Sequence, residues 1–207
     1  MWLLIVVVCT IHIWSIDRSN KWLFYFTKTT PILLMSLVVF SQSVTALDHY
    51  SFAIGIALLL SSVGDLFLMH PKDKFIPGLV AFLCAHIVYS VAFLYPIEHI
   101  SSYWTLFTLM ALGMLVYLLL LPGLGGSKFP VAIYTIAILL MVWSAIEFWT
   151  LVRIPSAGYA MFGAFIFVIS DIVLAIDRFR SSSAFSRHVV MITYYTAQAL
   201  LTLSAVT

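Results

Sequence analysis

The chain is divided into apolar runs, each about as long as the roughly 17–25 residues that a helix needs to cross a bilayer. Hydrophobic residues make up 63% of the 207 residues and charged residues only 9%, whereas a typical soluble domain is about a quarter charged. The segments between the runs are too short for a soluble domain. The sequence therefore predicts an all-α fold, a polytopic membrane helix bundle of about eight transmembrane helices forming a single domain, 1–207. The predicted runs are 1–16, 29–47, 50–69, 75–95, 102–121, 129–149, 157–176 and 188–206.

The first run lacks the positive start and the small-residue cleavage site of a signal peptide, so we expect it to be a retained helix.

Prolines support these boundaries, because a proline in a helix interior costs about 3 kcal/mol but is tolerated at the ends. All seven prolines fall at or near the ends of the predicted runs: Pro31, Pro71, Pro77, Pro96, Pro122, Pro130 and Pro155.

Positive charge predicts the orientation, because cytoplasmic loops carry an excess of Lys and Arg. Nine of the ten Lys and Arg residues lie between odd and even runs, and only Arg153 lies on the other side. We therefore expect both termini on the non-cytoplasmic side of a bacterial inner membrane or an endoplasmic reticulum membrane. A net charge of +2 argues against a nucleic-acid partner. The nine residues are Arg18, Lys21, Lys28, Lys72, Lys74, Lys128, Arg178, Arg180 and Arg187.

Two aspartates, Asp65 and Asp171, lie inside apolar runs, in LLLSSVGDLFLM and FGAFIFVISDIVLA. An acidic side chain at membrane depth is costly and by default indicates a function. At about 1.5 Å per residue, both lie roughly 7–9 Å inside the cytoplasmic ends of their runs, so we predict that they are the catalytic residues. Glu147 lies towards the other side and is interpreted as interfacial.

Further polar side chains are expected to face the same cavity. His86 and Tyr89 share a helix face, as do Tyr194 and Gln198. We predict a polar cavity that opens towards the cytoplasmic leaflet and ends near the middle of the membrane. The candidate substrate-binding residues are Lys28, His86, Tyr89, Tyr134, Tyr194 and Gln198.

Two carboxyl groups across one cavity suit general acid–base catalysis, because one can hold a proton while the other is ionised. Glycosidases divide the work between two acids in this way. The sequence shows neither a nucleophile elbow nor an HExxH zinc motif, and a structural zinc site normally has more His or Cys. We therefore expect no metal and no other cofactor.

Several segments in order resemble the lysoplasmalogenase family of multi-spanning, YhhN-like membrane proteins. The resemblance covers most of the chain from Lys28 onward, although Thr29 and Thr30 separate Lys28 from Pro31 where the family tends to have Lys-Pro. The matching segments are SSVGDLFL, FIPGLVAFLCAHIVY, FPVAIY, GAFIFVISDIVLAIDRF and ITYYTAQALL.

The resemblance implies an enzyme that hydrolyses the vinyl ether bond of a lysoplasmalogen, releasing a fatty aldehyde and a glycerophospho-alcohol. Its partners would then be this lysophospholipid and membrane lipid, and Asp65 and Asp171 would supply an acid and a base. The residues leave alternatives: a proton-coupled small-molecule or lipid transporter, a lipid-binding scaffold or a metal-dependent lipid amidase. The similarity between GDLFL, near the end of the third run, and SDIVL, near the end of the seventh, also predicts an internal four-helix repeat.

Overall fold

The protein forms eight α-helices in the computed structural model, which describes residues 1–18, 21–41 and 49–207. No β-strand occurs among these described residues, and the all-α prediction is confirmed. Two short 3-10 helices, Leu121–Gly123 and Gly125–Ser127, join the fifth helix to the sixth. The helices are α1 (Trp2–Ser15), α2 (Lys21–Ser41), α3 (His49–Leu68), α4 (Phe75–Leu94), α5 (Tyr103–Leu120), α6 (Lys128–Val152), α7 (Pro155–Phe179) and α8 (Ala184–Val206).

Seven of the described helices, α2 to α8, are long and apolar enough to cross a membrane. The first helix, α1, has 14 residues and is about 21 Å long, which is less than the roughly 30 Å of a bilayer core. The eight predicted runs therefore correspond to seven full-length helices and one short helix. The end of the second run, 42–47, lies outside the described residues.

The interior of the bundle is built around α3, α4, α7 and α8. Helix α8 packs on α7, α2 and α3, while α4 packs between α3 and α6. Helix α5 lies at the periphery against α6, with most of its surface exposed. Because large apolar side chains cover the outside as well as the core, the polar side chains of α3, α7 and α8 that face inward stand out as buried exceptions.

Helix α2 is longer at its beginning than predicted and contains Pro31 within it. The prediction that every proline lies near the end of a run is therefore wrong for Pro31. A proline has no N–H, so it leaves the carbonyl of Thr27, four residues earlier, without its helical donor. Because α2 begins at Lys21, Lys28 lies seven residues inside the helix, about 10 Å from its first residue. Lys28 is therefore a helix residue rather than a loop residue.

Candidate active site

Asp65, near the end of α3, is the centre of a buried polar cluster. Its side chain is almost fully enclosed, with a relative exposure of 3% for the residue. The Tyr194 hydroxyl of α8 donates a hydrogen bond of 2.8 Å to Asp65 Oδ2, and Lys28 Nζ of α2 lies 3.7 Å from Asp65 Oδ1. A buried carboxylate needs such partners. Three helices thus converge on the Asp65 carboxyl group.

Tyr195, the residue after Tyr194, fixes the backbone of α2 beside this cluster. Its hydroxyl donates a hydrogen bond of 2.8 Å to the carbonyl oxygen of Lys28. Consecutive tyrosines of α8 therefore contact both members of the ion pair, one at the Asp65 carboxylate and the other at the Lys28 backbone. Tyr195 was not among the predicted site residues, because a tyrosine in an apolar helix has no pattern that distinguishes it from a packing residue.

Asp171, on α7, has a different environment. It is only partly buried, and the Tyr134 hydroxyl of α6 donates a hydrogen bond to Asp171 Oδ2. In the described part of the chain, no cationic side chain lies within ion-pair distance of Asp171. The two aspartates therefore differ physically, since a lysine stabilises the charge of Asp65 whereas Asp171 has a single neutral partner.

Two cavities meet at Asp171. The larger, of about 270 Å³, is lined almost entirely by apolar side chains of α4, α5, α6 and α7. The smaller, of about 50 Å³, is lined by Lys28, Asp65, Ser170 and Tyr194 among others. Asp171 lines both cavities, as do Leu68, Phe82 and Leu174. The structure thus brings both aspartates, with Lys28 and Tyr194, to one small cavity, and Asp171 also lines the large apolar cavity.

A second polar group lies deeper, on α4 and α8. His86 is fully buried between the rings of Tyr134 and Phe167, at centroid distances of 5.1 and 4.9 Å. The Tyr89 hydroxyl donates a hydrogen bond of 2.7 Å to Gln198 Oε1. Within the described residues, both ring nitrogens of His86 and the amide nitrogen of Gln198 lack a hydrogen-bond partner. Most buried polar atoms are paired, so these atoms are available to water or a ligand.

The structure therefore divides the predicted site residues into groups. Lys28, Asp65 and Tyr194 form one cluster, and Tyr134 and Asp171 form another beside it. The three deeper residues, His86, Tyr89 and Gln198, are not among the residues that line the two cavities. They adjoin the site through the contact between the His86 and Tyr134 rings.

Glu147, on α6, is another acid within a helix, and its enclosure by the protein was not predicted; its position at the membrane interface stays a prediction. It is 1% exposed and accepts hydrogen bonds from the Ser101 backbone N–H, at 2.6 Å, and from the Ser101 hydroxyl, at 2.9 Å. The acid therefore fixes the connection between α4 and α5. The rule that singled out the two aspartates, an acid within an apolar run, could also have found it.

Metal ligands do not cluster in the described ranges 1–18, 21–41 and 49–207, where no three His, Cys, Asp or Glu residues lie close enough to hold one ion. The two aspartates have Lys28, Tyr194 and Tyr134 as their neighbours. Lysine and neutral tyrosine are not typical ligands of Zn²⁺ or Mg²⁺. That the reaction needs neither metal nor cofactor stays a prediction.

Comparison with known proteins places the chain in a family. The model of the YhhN family matches residues 23–205. The chain belongs to the YhhN family. The resemblance inferred from the sequence motifs is thereby confirmed. The match to the YhhN model spans all the predicted site residues and leaves α1 outside it.

The chain is similar in sequence to several membrane proteins. The chain is 36% identical over 201 residues to lysoplasmalogenase TMEM86B of Sus scrofa, covering 95% of this chain and 82% of that protein. It is 32% identical over 205 residues to lysoplasmalogenase TMEM86A of Homo sapiens, covering 94% and 82%. It is 26% identical over 175 residues to the uncharacterized membrane protein YhhN of Escherichia coli O157:H7, covering 81% of each. No solved structure matches the chain.

Proposed function

We propose that this protein is a lysoplasmalogenase. It hydrolyses the vinyl ether bond of a lysoplasmalogen to a fatty aldehyde and a glycerophospho-alcohol, either glycerophosphocholine or glycerophosphoethanolamine. The observation that carries the proposal is that Asp171 lines both a large apolar cavity and the small cavity that Asp65 and Lys28 also line. Relatives named lysoplasmalogenase, at 32–36% identity, support the same activity.

A single-chain lipid fits this arrangement. Its hydrocarbon chain lies in the apolar cavity, its glycerol and phosphate lie towards Lys28, and its vinyl ether lies beside Asp171. The lipid enters from the cytoplasmic leaflet, because nine of the ten Lys and Arg residues are expected at that end. We infer that the C-terminus lies on the other side of the membrane, and that the N-terminus lies there too because the short helix α1 also crosses the membrane.

The two aspartates take different roles in the proposal. Asp171, in contact with the apolar cavity and without a cation, carries the proton and is the general acid. Asp65, paired with Lys28 and Tyr194, is the carboxylate that activates water and stabilises positive charge. This assignment follows the rule that a cation favours the ionised form and an apolar setting the neutral form.

The reaction balances with one water consumed. Asp171 donates its proton to the vinyl carbon distant from oxygen, and the electron pair of the double bond forms the new C–H bond. The resulting oxocarbenium ion is attacked at its other vinyl carbon by water, whose proton passes to Asp65. The hemiacetal then collapses, the C–O bond to glycerol breaks, its hydroxyl proton reaches Asp171, and the leaving oxygen takes the proton from Asp65. The aldehyde and the alcohol are released, and both aspartates return to their starting states.

The remaining residues orient this pair. Tyr134 and Tyr194 hold the carboxyl groups through their hydrogen bonds. The ring nitrogens of His86 and the amide nitrogen of Gln198, which have no partner in the described structure, hold water or polar parts of the substrate, and His86 does so next to Tyr134. Electrostatic preorganisation of this kind accounts for a large share of many enzymatic rate enhancements.

The test measures fatty aldehyde released by purified protein in detergent from a lysoplasmalogen and from the saturated alkyl ether of the same length. We expect aldehyde from the vinyl ether alone, at a rate that a chelator leaves unchanged. In water labelled with oxygen-18, the glycerophospho-alcohol should carry no label, because the bond to the vinyl carbon is the one that breaks. A folded protein that releases no aldehyde, but moves lipid or solute into vesicles with protons, would be a transporter and would refute the proposal.

A further inference from the structure

The larger cavity passes Asp171 in both directions along the helices, from Val131 and Phe179 at the helix ends to Gly113 and Leu139 further inside the bundle. Its inner part is built by Gly113 of α5, by Ile138 and Leu139 of α6, and by Phe165 of α7. Leu139 lies five residues beyond Tyr134, so about 7.5 Å further along α6 than the residue that holds Asp171. A hydrocarbon chain that runs inward from a vinyl ether at Asp171 must therefore pass these side chains.

Gly113 and Leu139 are in close contact across this part of the cavity. A Cβ atom built on Gly113 would lie 2.2 Å from Leu139 Cδ1 and 3.4 Å from Thr135 Cγ2. Real Cβ atoms do not approach other atoms within 3.0 Å, so any larger residue at position 113 must displace the Leu139 side chain. Because both residues line the cavity, the displaced side chain occupies space that is otherwise open.

We propose that Gly113 and Leu139 form a chain-length selector for the lipid substrate. The inference rests on the proposed function and adds the residues that make the enzyme discriminate between long and short hydrocarbon chains. Because Gly113 has no side chain, the Leu139 side chain lies against it and leaves the adjacent cavity open for the carbons beyond the double bond. Leu139 in turn limits how far this space extends. Long chains gain contacts here that short chains do not reach.

The experiment compares kcat/KM for lysoplasmalogens with a short and a long alkenyl chain in Gly113→Ala, Leu139→Ala and wild type. Each methylene kept out of an apolar site costs about fourfold in kcat/KM, the ratio that corresponds to ~0.8 kcal/mol per buried methylene. Gly113→Ala should therefore lower the long-to-short ratio about fourfold or more. Leu139→Ala, which enlarges the same space, should raise the ratio.

The matched control is Gly55→Ala on α3. A Cβ at Gly55 would also meet a flexible side chain, Phe40 Cζ at 2.5 Å, but Gly55 lines neither cavity. Inhibition by saturated alkyl ether lysolipids of the same two lengths gives a second readout, which requires binding but no turnover. In Gly113→Ala the long inhibitor should weaken more than the short one, and Gly55→Ala should leave both ratios unchanged.

The outcomes separate this inference from the proposed function. An active wild type whose chain-length ratio is the same in both cavity variants would overturn the selector and leave the enzymatic function intact. A folded wild type that releases no aldehyde at either chain length would overturn the proposed function, and the selector with it. Should Gly113→Ala fail to fold, Leu139→Ala alone tests the selector. A higher long-to-short ratio of kcat/KM in this variant supports the selector, and an unchanged ratio overturns it.

Discussion

The buried pair of Lys28 and Asp65 gives the sharpest prediction about the site. Lys28 Nζ and Asp65 Oδ1 are 3.7 Å apart, with side-chain exposures of 11% and 4%. At an effective dielectric constant of about 20, this distance corresponds to an attraction of about 4.5 kcal/mol. Removing one partner of a buried pair leaves the other charge uncompensated and typically costs about 3–5 kcal/mol. We therefore expect Lys28→Met to lower the free energy of unfolding by that amount.

A double variant separates the interaction between Lys28 and Asp65 from the other effects of the single changes. In Lys28→Met/Asp65→Asn neither charge remains, so the combined loss should be smaller than the sum of the single losses by about 3 kcal/mol. Activity should nevertheless stay absent, since the carboxylate is gone. Stability is measured by reversible unfolding in mixed micelles with increasing dodecyl sulfate, followed by tryptophan fluorescence.

An exposed ion pair provides the matched control. Asp73 and Arg178 also form an ion pair, but their side chains are 64% and 44% exposed, and exposed pairs contribute about 0–1 kcal/mol. The cycle Asp73→Asn/Arg178→Met should therefore show a coupling within that range. A coupling for Lys28 and Asp65 no larger than this one would refute the buried ion pair and, with it, the reason for assigning the ionised role to Asp65.

Three further variants test the structure around the site. Glu147→Ala should lower the free energy of unfolding by about 3 kcal/mol, because hydrogen bonds to a charged group contribute about 1.5–3 kcal/mol each, while kcat stays near wild type; a large loss of kcat in folded protein would contradict the structural role of this acid. Tyr195→Phe should cost about 1 kcal/mol in the same unfolding assay by removing the hydrogen bond to the Lys28 carbonyl, and an unchanged stability would argue against that contact. Gly123→Ala should lower the melting temperature, because its Cβ would lie 1.8 Å from the carbonyl oxygen of Phe179 and overpacking costs about 1–3 kcal/mol; a melting temperature equal to wild type would contradict the close approach.

Hydropathy predicted the helices because a bilayer requires a fixed length of apolar chain. It could not predict that α2 begins at Lys21 and continues through Pro31, since the cost of a proline in a helix is offset by tertiary contacts that a local pattern does not contain. It also could not separate α1, with 14 residues, from a full span, because the apolar composition of that segment is the same as that of a longer helix. The internal four-helix repeat stays a prediction.

Depth along each helix predicted part of the site. Asp65 and Asp171 were placed at similar depths by counting residues from the charged ends, and the structure brings them to one small cavity. Counting could not show that Lys28 pairs with Asp65 whereas Tyr134 pairs with Asp171. Such partners depend on the rotation of each helix about its axis, which packing determines. For the same reason the sequence did not reveal the apolar cavity beside Asp171.

The most direct test of the central claim compares aldehyde release by Asp65→Asn, Asp171→Asn and the control Glu147→Gln. The control changes an acid that is buried like Asp65 to its amide outside the two cavities. General acid–base groups contribute typically about 10²–10⁴-fold to the rate, so each aspartate variant should lose at least about 10²-fold in kcat while remaining folded, and Glu147→Gln should remain active. A folded Asp65→Asn or Asp171→Asn protein with a rate near wild type would contradict the two-carboxylate mechanism.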